Sequence, residues 1–223
     1  MKHYIVLITL FLVAITVQAQ KSFEGRIVYS VELSGEGAED MAPFMPENYE
    51  FVVKGEKIKF MMKGGMAAAM LGEFISKDND DRVWMIRHNE KRAYYFPKDE
   101  GEEEVENAEV TKEDEVLTIS GYECQKYKIV TSFPNGESVT QYVWTTDKIK
   151  FASAKKARRM NTGVFFQKGL EGFPLKVQAG NAEITMIMTA TTVDKSKIAN
   201  SEFEFPDTYE KKEYDPSNPL GGY

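Results

Sequence analysis

The chain has 223 residues, 42% of them hydrophobic, with 35 acidic against 28 basic side chains and a formal net charge of −7 at pH 7. That balance repels phosphate backbones and argues against nucleic-acid binding unless one face is strongly basic. The lone cysteine, Cys124, rules out an intramolecular disulfide, so stability has to come from a packed core.

Lys2 and His3 open the chain, an apolar run covers residues 5–17, and Val17-Gln18-Ala19 supplies a small-residue cleavage pattern. This is the three-part pattern of a secretory signal, too short for a stable bilayer anchor. Residues 1–19 are therefore expected to be a signal peptide, removed after Ala19, and the protein to be exported. No cysteine follows the apolar run, which argues against a lipid on the new N-terminus. Residues 20–205 are expected to form one β domain, and 206–223, with Pro216, Pro219, Gly221 and Gly222, a flexible tail. No later apolar run is long enough to span a bilayer.

Residues 23–33 alternate, with Phe23, Gly25, Ile27, Tyr29, Val31 and Leu33 on one side. Period two with one wet face predicts an antiparallel strand over a core. A loop is expected over 35–46. Hairpins follow at 49–53 with 57–61, at 82–87 with 92–96 around His88-Asn89-Glu90-Lys91, and at 173–178 with 182–193. The best-marked hairpin joins 122–132 to 138–146 through Pro134-Asn135-Gly136-Glu137, where Asn-Gly suits the positive-φ positions of a short turn. About ten strands result, the pattern of a meander, sandwich or barrel.

Three stretches depart from that pattern. After Gly64-Gly65, residues 66–76 read as a helix, rich in Ala and Met and charged only at Glu73. A helix apolar almost all round is enclosed by protein or covers an apolar opening. Residues 148–172 are too long for a hairpin loop; a basic helix is expected over 151–160, followed by a Gly-punctuated aromatic run. Residues 99–115 are strongly acidic and read as a solvated loop.

Parts for catalysis are scarce. Beyond the signal, His88 is the one histidine, and it falls in a charged turn. Zinc and iron sites need several His or Cys ligands, and hydrolase triads need a paired base, so neither is expected. Asp78-Asn79-Asp80-Asp81 resembles the start of a calcium loop but lacks the Gly and distal Glu, and reads as a turn. Cys124 reads as a small buried hydrophobe, with an intermolecular bridge or a reactive thiol as the alternatives. Met61, Met62, Met66 and Met70 fill a core, form an adaptable apolar surface or bind Cu(I). Lys155, Lys156, Arg158 and Arg159 make a solvated helix face or touch anionic headgroups or the acidic loop.

FEGRIVYSVEL, ISGYECQKYKI, YVWTT, GFPLKVQ and FEFPDTY together resemble a periplasmic family catalogued as domain of unknown function 4412, and more distantly the GLPGLI family. Both are similar in expected fold to the LolA/LolB lipoprotein carriers. The resemblance implies a mainly β fold with minor α, a strongly curved antiparallel sheet forming a LolA-like open β-barrel capped by one or two short helices. It also implies a periplasmic protein holding a lipid or acyl chain and brings no catalytic residues, while the scarcity of ligand residues noted above leaves no cofactor and no metal expected. The residues expected to line the cavity and its lid are Met62, Met66, Met70, Phe74, Trp84, Tyr142, Trp144, Phe165 and Phe166. The alternative is an envelope interaction or structural protein with a filled core, or copper handling by the Met cluster.

Overall fold

The computed structural model describes residues 22–78, 80–96, 108–133, 136–150, 157, 160, 165, 167, 169–181, 183–215 and 217. The elements run β1 (Glu24–Ser34), α1 (Ala38–Met41), β2 (Asn48–Lys54), β3 (Lys57–Lys63), α2 (Gly65–Leu71), β4 (Glu73–Ser76), β5 (Val83–Arg87) and β6 (Arg92–Phe96). They continue as β7 (Ala108–Ile119), β8 (Tyr122–Ser132), β9 (Ser138–Thr146), β10 (Phe173–Gly180), β11 (Thr185–Asp194), a 3-10 turn at Asn200–Phe203, and β12 (Glu210–Glu213). All twelve described strands join one curved, open sheet in the order β12-β6-β5-β4-β3-β2-β1-β11-β10-β9-β8-β7. Every pairing is antiparallel except β12 on β6. The fold is therefore the mainly β, curved antiparallel sheet with minor helix expected from the sequence.

Register carries apolar residues into rows. Phe51 lies opposite Phe60, Phe60 opposite Phe74, Phe74 opposite Met85 and Met85 opposite Tyr94. These side chains, with Ile27, Tyr29, Ile129, Val143 and Val177, form the main buried cluster on what we call the inner face. On the opposite, outer face Val52, Ile75, Trp84, Ile86 and Ala93 form a second cluster. The segment after β11 covers it with Ile198, Phe203, Phe205 and Tyr209. β5 is thus buried on both sides, which is why 83–87 shows no wet alternation.

Three expectations change. The helix expected over 66–76 ends at Leu71, and 73–76 is the strand β4. Gly72, at φ 71° between them, packs so closely on β5 that a Cβ would lie 2.1 Å from the Ile86 carbonyl oxygen. Part of the acidic stretch is the start of β7, whose pairing with β8 outweighs the repulsion among its carboxylates. The tail contributes β12, paired with β6 and fixed further by the Tyr214 N–H donating to the Tyr95 carbonyl at 2.9 Å. The signal segment 1–19 and most of the expected basic helix at 151–160 lie outside the described residues.

Cys124 is fully buried in the main cluster, and burial pushes its thiol up to about 11 from an ordinary 9.0. The raised value means that the folded state holds the protonated form. This contribution to stability is present below pH 9.0 and is lost as pH climbs through about 11. Iodoacetamide at pH 8 should therefore label the thiol only in denaturant; equal rates in native and denatured protein would contradict this burial.

Candidate functional site

The inner face is an aromatic platform. Period two puts Tyr49 and Phe51 of β2 on the same side as Phe60 of β3 and Phe74 of β4. Tyr49 stacks on Phe60 at 5.5 Å, and Phe51 meets Phe60 at 4.8 Å between ring centroids. Tyr29 of β1 closes the group; its hydroxyl donates to the Pro174 carbonyl at 2.7 Å, and burial, then the neighbouring Cys124, raises its phenol well above the ordinary value.

Four described residues between β9 and β10 pack into this platform's cluster. Ile149, Ala157, Met160 and Phe165 are all buried in the main cluster. Phe165, 1% exposed, sits edge-on to Tyr29 at 5.1 Å, to Phe51 at 5.2 Å and to Tyr49 at 6.3 Å. One phenyl ring outside the strands thus packs against three aromatic rings of β1 and β2.

A second apolar feature lies where α1 and α2 meet. The first N–H groups of α2 have no partner inside the helix. Here Met66 N–H donates to the Pro43 carbonyl at 3.1 Å and Ala67 N–H to that of Phe44 at 3.0 Å. The joined turns leave Met41, Phe44, Met66, Met70 and Leu71 exposed, Met66 by 51% and Met70 by 41%. α2 has no buried residue, unlike the lid expected over the inner face, whereas Ile149, Ala157, Met160 and Phe165 are buried in that face's cluster.

The side chains expected to share one cavity are therefore divided. Met62, Phe74 and Phe165 belong to the inner face. Trp84 lies in the outer cluster against Phe205, with its indole N–H donating to Asp80 at 3.0 Å. Tyr142 and Trp144 alternate with the inward Val143, so their rings lie on the outer side, although Trp144 is a buried member of the main cluster and Tyr142 packs against it. Lys126 and Lys176 cover Trp144 at 5.2 and 4.6 Å, and its indole N–H donates to Glu115 at 3.0 Å. Met66 and Met70 face solvent, and Phe166 lies outside the described residues. The Met group splits likewise: Met61 packs with the outer cluster and Met62 with the inner one, so the four sulfurs do not converge. Tyr29, Tyr49, Phe51 and Phe60 were passed over, although the alternation in 23–33 and 49–53 places them on one face.

His88 and Asp80, two of the residues singled out in the sequence, are tied into local structure. His88 is held between Glu73 at 3.0 Å and the Tyr209 hydroxyl at 2.9 Å, which clasps the C-terminal segment to β4. Asp80 accepts from Arg82 and Trp84; these bonds hold its carboxyl low although partial burial acts to raise it. No group of three or more His, Cys, Asp or Glu side chains suited to a metal occurs among the described residues. Nor is any described helix long and apolar enough to cross a membrane.

Comparison with solved structures finds LprF from Mycobacterium bovis, at 10% identity and a TM-score of 0.32 over 78% of this chain and 89% of that one. A putative outer membrane lipoprotein-sorting protein domain from Vibrio parahaemolyticus matches at 10% identity and a TM-score of 0.31, over 80% and 89%. Among curated proteins no significant match was found. The model of one family, described as domain of unknown function (DUF4412), matches residues 36–209. With its match spanning most of the sheet, the chain belongs to the DUF4412 family.

Proposed function

We propose that the protein is a non-catalytic binding protein of the periplasm, exported by cleavage after Ala19, that holds an acyl chain or similar apolar molecule against its inner face. The carrying observation is Phe165: a ring on a long loop, packed edge-on against Tyr29, Tyr49 and Phe51. In this reading the loop is the stand-in for the ligand and yields its place when the ligand arrives. The driving force is desolvation, at about 0.8 kcal/mol per buried CH₂. The exposed Met41, Phe44, Met66 and Met70 supply an adaptable apolar surface for donor or acceptor contact. Residues 20–205 act as the binding domain, and β12 ties the start of the remaining tail to the sheet.

Native mass spectrometry and organic extraction of the exported protein test this proposal. An apolar adduct released on unfolding is the expected result; protein that never carries or takes up one contradicts it. A second reading rests on how thoroughly Ile149, Ala157, Met160 and Phe165 are buried. Here the inner face is permanently filled, and the exposed apolar group on α1 and α2 docks another envelope protein. A co-purifying envelope protein, lost on Met66→Lys together with an inner face that takes up no probe, would favour it.

A further inference from the structure

At the end of the sheet away from α1 and α2, three chain segments meet around a cleft of about 280 Å³. Residues 22–24 are tied to the segment after β9 by the Phe23 N–H donating to the Lys150 carbonyl at 2.7 Å. They are tied to the segment after β11 by the Ile198 N–H donating to the Glu24 carboxylate at 3.0 Å. The result places Lys148, Lys150, Lys195 and Lys197 around one opening, together with Ser22 and Ser196.

This grouping is unfavourable for the empty protein, because like charges at one opening repel. It is also unexpected in a chain whose net charge is −7. Local carboxylates do little to relieve it. Glu24 lines the cleft but is engaged with Ile198 N–H and lies 3.8 Å from Lys54. Asp147 lies 3.3 Å from Lys148, with both side chains well exposed, and Asp194 accepts the Ser196 hydroxyl at 3.0 Å. Lys195 rests over the Tyr122 ring at 5.3 Å, and Lys150 and Lys197 have no carboxylate partner among the described residues. Several ammonium donors and the Ser22 hydroxyl around one opening match a group with multiple charged oxygens.

We propose that this cleft binds a phosphate group, held by Lys148, Lys150, Lys195 and Lys197. The cleft borders the apolar core: Phe23 lines it and belongs to the main cluster, and Ile149, between two of the lysines in sequence, is a member of the same cluster. A phosphate at the head of an alkyl chain would thus sit beside the inner face, where its tail could displace apolar side chains. That amphiphilic form of the ligand rests on the apolar-binding reading above, whereas binding of a free phosphate does not.

Calorimetric titration of the full chain with inorganic phosphate and with dodecyl phosphate tests the proposal, repeated on the Lys150→Gln/Lys197→Gln protein. Both substitutions are at exposed positions, and retained thermal stability confirms that the fold is unchanged. Both probes should bind, dodecyl phosphate more tightly, and the double substitution should weaken each about tenfold. Added salt should weaken both as screening grows. Inorganic phosphate that binds as tightly as dodecyl phosphate, with lysine dependence, supports the cleft and contradicts the apolar reading. Dodecyl phosphate binding that ignores the lysines overturns the cleft and leaves the apolar reading standing. Failure of both probes to bind overturns the cleft.

Discussion

Replacing Phe165 with Ala should destabilise the protein by about 3–5 kcal/mol, the usual cost of removing a fully buried ring. Phe165 is 1% exposed and touches three aromatic rings from two strands, so little can collapse into the void. The midpoint of a urea melt should fall while its slope stays constant, which marks a lost packing contribution rather than a changed unfolded state. A second effect is expected in the same variant. The vacated space between Tyr29, Tyr49 and Phe51 is apolar, and apolar cavities stay dry and take small hydrophobic guests. Uptake of benzene or a naphthylamine dye should rise. A loss below about 1 kcal/mol, with no gain in uptake, would mean that the ring is not an integral part of the inner face.

Gly72→Ala should be nearly as costly, at roughly 3 kcal/mol or more, because strain and collision add. The residue sits at φ 71°, and a Cβ would come within 2.1 Å of the Ile86 carbonyl oxygen, a backbone atom that cannot rotate away. Gly55→Ala is the control: its φ is 62° but nothing lies within 4 Å, so only the conformational penalty of about 1–2 kcal/mol applies. Thermal melts of the two variants give the comparison. Similar losses would show that the close approach of 72 to β5 contributes nothing. A larger loss at Gly72, with faster hydrogen exchange in β4 and β5, is the expected result.

Gly72 also marks where the sequence stops being legible. Residues 66–71 are all good helix formers, and the expected helix carries that signal past Gly72 into Glu73–Ser76, where only Glu73 shares it. What ends the helix is a long-range fact, the pairing of Phe74 with both Phe60 and Met85. The hairpins were readable because turn chemistry and alternation are local signals. β7 was not, since an edge strand with charges on both sides looks like a solvated loop until its partner is known. β12, all exposed, is hidden for the same reason.

The site was legible in kind but not in detail. Residue type alone does not tell which face of a strand an aromatic ring occupies; parity along the strand does. Parity separates Tyr142 and Trp144 from Val143, and Trp84 from Met85. The same rule would have selected Tyr29, Tyr49 and Phe51. Phe165 was found because a long aromatic connection is unusual, although its contacts with β1 and β2 depend on the fold. The lysine cleft could not be found this way: 22–24, 148–150 and 195–197 are remote in sequence and meet only when the sheet forms.

The most direct measurement of apolar binding on the inner face is paramagnetic broadening of side-chain methyl resonances by a nitroxide-labelled fatty acid. Methyl signals of Ile27, Ile129, Val177 and Met188 should broaden selectively, those of Val52, Ile75 and Ile198 should stay sharp, and unlabelled fatty acid should reverse the effect. Broadening confined to the outer cluster or to Met66 and Met70, or none at saturating ligand, would contradict an inner-face site.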